Sequence, residues 1–133
     1  MRVLALLPWL ILGVCIFPHA SHAIDLTGAW ATDAADCQKI FVKKGKVISF
    51  QPRSELHGGG FIIDGNLIRG KAAKCAIKAR REDGQLIHLI AACATDIMLS
   101  NVQFSLRVVS ENKVSRIFPG MEGMELAYDR CSL

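Results

Sequence analysis

From residue 38 to residue 131 the chain is a procession of short apolar-rich runs separated by turn signals, and that rhythm restricts its fold more than any other feature. Gln38–Lys43 and Lys46–Phe50 flank Lys44-Gly45, while Phe61–Ile63 and Asn66–Arg69 flank Asp64-Gly65. Cys75–Ala79 and Leu86–Cys93 flank Glu82-Asp83-Gly84-Gln85. Val102–Ser110 and Lys113–Phe118 flank Glu111-Asn112, and Glu125–Cys131 follows Pro119-Gly120. Asp64-Gly65 is the strongest of these signals, because Asp-Gly tolerates the positive φ that a type I′ hairpin turn requires. Val102, Phe104, Leu106 and Val108 alternate with Gln103, Ser105 and Arg107, the pattern of a strand with one wet face. Helix signals are poor by comparison. Ala34–Gln38 and Thr95–Asn101 each predict one or two helical turns, with Thr95 capping the second. Eight or nine strands spaced by about 8 to 12 residues predict an all-β, up-and-down antiparallel sheet. Closure into a small barrel of about eight strands removes the exposed edges that the alternative, an open β-sandwich, would carry.

The first 23 residues have the composition of an export signal. Arg2 supplies a positive start, Val3 to Phe17 is apolar apart from Pro8, and Ser21-His22-Ala23 is a small-x-small cleavage site. The apolar stretch is shorter than the roughly 20 residues of a bilayer-spanning helix. Leu12-Gly13-Val14-Cys15 loosely resembles a lipoprotein box, but Val14 is not the small residue such a box wants, so cleavage after Ala23 is expected. Residues 24–133 then form one domain of about 110 residues, too small for a TIM barrel or a full dinucleotide-binding enzyme. Loss of Arg2 from the 16 basic residues leaves 15 against 12 acidic ones, a net charge of +3 that is too mild to imply nucleic acid. No second apolar run predicts a transmembrane segment. The expected compartment is the periplasm or the exterior.

Of the five cysteines, Cys15 lies in the leader, and Cys37, Cys75, Cys93 and Cys131 remain. An even number in an exported chain predicts two disulfides. Four cysteines allow three pairings, and hairpin geometry favours one. A three-residue loop centred on Gly84 sets Cys75 opposite Cys93, with Cβ atoms about 5 Å apart, whereas a two-residue loop would displace them by one residue. The other pair is then Cys37 with Cys131, tying the first strand region to the last. No two cysteines lie within four residues of each other, which argues against a zinc knuckle.

Leu26-Thr27-Gly28-Ala29-Trp30 places a Gly-x-Trp in the expected first strand, and Tyr128-Asp129-Arg130-Cys131 places an Arg in the last. This resembles the calycin-type barrels: lipocalins, avidins and the small bacterial metalloprotease-inhibitor barrels. The resemblance implies that Trp30 plugs one end of a barrel, with Arg130 packed across its ring. Phe41, Phe50, Phe61 and Phe104 are expected to supply interior bulk.

The remaining constellations each have a plainer explanation. Lys71, Lys74, Lys78, Arg80 and Arg81 are a basic cluster in which strand alternation sets Lys74, Lys78 and Arg80 on one face. That stripe suits an anionic envelope component, or is simply solvated; it has none of the interleaved aromatics of a nucleic-acid surface. Arg53, Glu55 and His57 lie in a stretch ending Gly58-Gly59-Gly60, a candidate binding loop or a disordered hairpin tip. Ser54, Glu55 and His57 are catalytic residue types, but a glycine-rich loop lacks the fixed geometry of a triad. Alternation places His88 on the sheet surface. Met121 and Met124 suit Cu(I) on paper and barrel-mouth packing more simply, so no metal or other cofactor is expected. No catalytic motif occurs. The expected function is therefore non-catalytic: an exported barrel that binds a small apolar ligand or a secreted or periplasmic protein, in the manner of a protease inhibitor. The alternative is an envelope-associated interaction protein acting through the basic stripe.

Overall fold

A computed structural model describes residues 23–133 of the chain, so the expected leader up to His22, with Cys15, lies outside the described residues. The strands are β1 (Gly28–Ala31), β2 (Phe41–Lys44), β3 (Val47–Phe50), β4 (Gly60–Asp64), β5 (Leu67–Arg69), β6 (Lys74–Asp83), β7 (Leu86–Ala94), β8 (Leu99–Ser110), β9 (Lys113–Ile117) and β10 (Glu125–Arg130). Eight of them close into an antiparallel barrel in the order β1-β10-β9-β8-β7-β6-β5-β4, with β4 returning to β1. The all-β expectation and the closed barrel are therefore what forms, and the open sandwich is not. Among the described residues no helix is long and apolar enough to cross a membrane.

The β2–β3 hairpin stands outside this wall. It is an insertion between β1 and β4, which pair directly from Gly28 opposite Ile63 to Ala31 opposite Gly60. Ala29, Ala31 and Ile62 point outward from that seam, yet they are fully buried. The hairpin and the single helical turn α1 (Cys37–Ile40) cover them, forming a second core with Ile40, Phe41, Ile48 and Phe50. Phe41 and Phe50 thus belong to this outer core, not to the barrel interior as expected; Phe61 and Phe104 do pack inside. Consecutive apolar residues such as Ile62-Ile63 mark a strand buried on both faces, and a period-2 reading assigns only one of them to a core.

The expected turn at Ala34–Gln38 is a 3-10 turn over Ala34–Asp36 that runs into α1, so β2 starts at Phe41 and not at Gln38. Asp33 begins it by accepting from the Ala35 amide at 2.9 Å, satisfying one of the donors a helix start leaves free. The second expected helix is absent: Thr95–Met98 is a tight turn, with β8 starting at Leu99. Thr95 Oγ1 accepts from the Met98 amide at 3.1 Å, and the Thr95 amide donates back to the Met98 carbonyl at 2.9 Å. The Thr side chain that suggested a helix cap instead closes a turn between two strands, a local bond that competes with helix.

The β6–β7 hairpin reaches its disulfide by a different route from the expected one. Its turn holds two residues, Gly84 and Gln85, with Asp83 opposite Leu86 and Gly84 at φ +59°. That register alone would set Cys75 opposite Ala94. A β-bulge between Ile77 and Ala79 absorbs Lys78, and beyond it Ile77 faces Ala91 and Cys75 faces Cys93. The disulfide closes there with Cα atoms 3.9 Å apart, while Cys37–Cys131 joins α1 to the end of β10 at 5.6 Å.

Candidate functional site

The barrel has one sealed end. The segment Ile24–Thr27 crosses it, with Leu26 buried and Ile24 packed against the barrel core. Arg130 anchors this strap: its guanidinium lies 4.3 Å from the Trp30 ring, Nη2 donates to the Asp25 carbonyl at 2.7 Å, and Nε donates to the Glu111 carbonyl at 3.0 Å. Nη1 donates to the Thr27 carbonyl, and Trp30 Nε1 donates to the Leu26 carbonyl at 2.9 Å. A planar cation with five donors can stack on an indole and serve three carbonyls at once, which lysine cannot. The amide of Thr27 donates to Asp25 Oδ1 at 2.8 Å. Hydrogen bonding from Thr27 is the main cause holding the Asp25 carboxyl below its ordinary value, helped by the charges of Arg130 and Arg80.

Above the sealed end lies a cavity of about 200 Å³. Phe61, Ile63 and Ile68 from β4 and β5, Cys75 and Leu89 from β6 and β7, and Phe104 and Leu106 from β8 line it, with Gly70 and Ala73 at the rim. Trp30, Phe61 and Tyr128 form an aromatic floor: the rings of Trp30 and Phe61 stack at 6.3 Å, and Phe61 meets Tyr128 edge-on at 4.8 Å. Strand alternation builds this lining, since Val102, Phe104, Leu106 and Val108 do share the inward face of β8.

One charged side chain enters this apolar cup. Arg116 sits opposite Leu106 in the β8–β9 pair, so it shares the inward face, and it lines the cavity with Tyr128. Its guanidinium lies between two rings, 4.7 Å from the centroid of Phe104 and 4.9 Å from that of Phe118. Among the described residues no carboxylate reaches it: the five ion pairs involve Lys39, Lys71, Arg80, Arg107 and Lys113. Burial pushes the Tyr128 hydroxyl above its ordinary range, with the Arg116 charge and a hydrogen bond from the Arg116 side chain pulling the other way, so the phenol stays protonated at neutral pH. Among the described residues, the cup is an apolar chamber lined by one cation without a carboxylate partner and one neutral hydroxyl.

The basic cluster does not form the expected stripe. The bulge at Lys78 flips the alternation, so Arg80 falls on the side of Leu89 and Arg81 on the outer side with His88. Arg80 turns to the sealed end, pairing with Glu82 and donating to the Ile24 carbonyl at 2.7 Å. Lys71 lies near the other end of the barrel, 3.6 Å from Glu55 and donating to the Gln51 carbonyl. Lys74, Lys78 and Arg81 are exposed on the outer face of β6.

Arg53–Gly60 is ordered, not a loose tip. Arg53 adopts φ +57° ahead of a 3-10 turn over Ser54–His57, and the Gly59 carbonyl accepts from the Thr32 amide at 3.0 Å. Ser54 is buried, whereas Glu55 and His57 are exposed, and no hydrogen bond links the three. His88 lies on the outer surface with Nδ1 2.9 Å from Ser105 Oγ. Met121 and Met124 are exposed on the β9–β10 loop. Among the described residues no group of three His, Cys, Asp or Glu side chains is placed to hold a metal ion.

Arg116 and Tyr128 had escaped the sequence reading. The signal was present: Val114, Arg116 and Phe118 share one strand face, and an Arg between two apolar residues on an inward face is a cation in a core. No family model matches the chain, and comparison with curated proteins and with solved structures likewise gives no match.

Proposed function

We propose that this protein is a non-catalytic, exported binding module that holds a small apolar ligand in the open cup of its barrel. The observation that carries this reading is the 200 Å³ apolar chamber above a sealed floor, walled by rigid strands and pinned by two disulfides. Ligand sites are typically such concavities, mostly apolar with a few converging polar groups. The Gly-x-Trp strand, the Arg130–Trp30 stack and the eight-stranded closure support a calycin-like kinship. The test is nuclear magnetic resonance with toluene and 1-hexanol as neutral probes. Saturable shifts at Phe61, Leu89 and Leu106 are expected, and they should vanish in Ala73→Trp, which plugs the rim. Absence of shifts in the oxidised protein refutes the reading.

A second reading, a protein partner met in the manner of a protease inhibitor, is favoured by apolar side chains exposed on the β7–β8 and β9–β10 connections. Ile97 is 95% exposed and Leu99, at the start of β8, 84%; Met98, Met121 and Met124 are exposed as well. Inhibition of a secreted metalloprotease that Ile97→Asp abolishes would support it; a panel of such proteases left uninhibited would dispose of it.

A further inference from the structure

Resting on the cup as the binding site, we infer that its ligand is a small monoanion: one carboxylate on a ring-sized apolar body. The inference comes from Arg116. A guanidinium taken partly out of water costs free energy unless an anion or a set of hydrogen-bond acceptors replaces its hydration. Arg130, at the sealed end, has three carbonyls; Arg107 has Glu125. Arg116 has neither a carboxylate nor a backbone carbonyl among the described residues: it meets the faces of Phe104 and Phe118 and one neutral acceptor, the Tyr128 hydroxyl, which leaves most of its five N–H donors and its charge unmatched. Both contacts set the guanidinium carbon over a ring face, which satisfies none of its N–H donors, so those donors are the part able to meet a ligand. Such donors match a carboxylate with two parallel hydrogen bonds.

Charge and size narrow the class further. Among the described residues Arg116 is the sole charged side chain lining the cup, so a single negative charge is balanced and a dianion is not. The Tyr128 hydroxyl, held protonated, supplies a further donor. A chamber of about 200 Å³ suits a body somewhat larger than benzene, which fills an apolar cavity of about 150 Å³.

The experiment compares three near-isosteric probes on residues 24–133 in oxidised form: phenylacetate, phenylacetamide and 2-phenylethylamine. Dissociation constants come from titration followed by nuclear magnetic resonance, with shifts located to the cup. Phenylacetate should bind about tenfold or more tightly than phenylacetamide, the expected worth of a charge-assisted hydrogen bond, and the amine weakest. Arg116→Met keeps an unbranched side chain between the rings and should bring the acid-to-amide ratio close to one, whereas Arg116→Lys should restore part of it. Phenylacetamide bound as tightly as phenylacetate overturns the anion assignment and leaves the cup standing. An undiminished ratio in Arg116→Met overturns the role of Arg116. Failure of all three probes to shift the cup overturns the binding reading itself, and the assignment with it. The wild-type ratio decides the matter even where Arg116→Met folds poorly.

Discussion

Gly60→Ala tests how tightly the outer hairpin is pressed onto the barrel. Gly60 opens β4 opposite Ala31, on the outward face that Phe41 covers. A Cβ built there falls 2.6 Å from the Trp30 carbonyl oxygen and 2.7 Å from Phe41 Cζ. Two opposing contributions set the outcome. Restricting the unfolded chain favours Ala by about 0.4–1 kcal/mol. Overpacking costs about 1–3 kcal/mol, and the upper end applies because one obstacle is backbone in a paired strand and cannot rotate away. The net is a loss of about 2 kcal/mol. For a domain of about 110 residues this lowers Tm by roughly 6–12 °C. Thermal denaturation followed by far-ultraviolet circular dichroism, with free thiols assayed to verify both disulfides, measures it. Phe41→Leu in the same chain removes one of the two obstacles, so the double variant should be more stable than the sum of its singles predicts. A Tm for Gly60→Ala equal to or above wild type would refute the close packing of this seam.

Three further outcomes follow from the same geometry. Replacing Cys37 and Cys131 by Ser should lower the urea midpoint more than replacing Cys75 and Cys93: loops of 94 and 18 residues carry closure entropies worth at most about 4.6 and about 3 kcal/mol. The reverse order would mean that the unfolded-state constraint is not the main contribution. Arg130→Met should cost about 2–3 kcal/mol in urea unfolding, from the lost Trp30 stack and the carbonyls left without their donor, and Arg130→Lys should recover little of it. Full recovery by Lys would show that only the charge matters. Asp25→Asn probes the carboxyl bonded to Thr27: its folded pKa lies below the ordinary 3.8, so its contribution is present above about pH 4 and is lost as pH falls through the folded value. The group is largely solvent-exposed, so the gap from wild type at pH 7 should stay under about 0.5 kcal/mol and close at about pH 2; a gap unchanged by pH would rule the carboxylate out as its source.

Most strands were legible in the sequence because turn dipeptides and period-2 alternation are local signals, and the need to remove edges pointed to an eight-stranded closure; ten strands form in all, against the eight or nine expected. Val102–Val108 needed nothing more than its own pattern. The misplaced features depend on partners distant in sequence. Phe41 and Phe50 read as barrel residues, because nothing local says that their hairpin lies outside the wall; Ala29 and Ala31, on the strand they cover, are too small to announce a second buried face. Thr95 carried a helix-cap signal whose outcome was decided by β7 and β8 pairing on either side of it. For the candidate site, the glycine-rich loop drew notice by composition, whereas Arg116 hid in plain alternation as one more basic residue. A charged side chain in the inward register is the informative exception, and it shows only once the register of β9 is fixed by Leu106 and Val108.

The bulge at Lys78 makes β6 one residue longer than β7 can match, and the turn and the disulfide grip the surplus from both sides. The cystine therefore works as a gauge. A hairpin zipped evenly from the Gly84-Gln85 turn sets its two sulfurs one rung out of step, and oxidation there locks in only chains that have taken up the slack. Lys78 is also the one residue this ribbon can surrender: without it Ile77 still meets Ala91 and Cys75 still meets Cys93. Its neighbours along β6 have no such freedom, since each is already spoken for across the ladder.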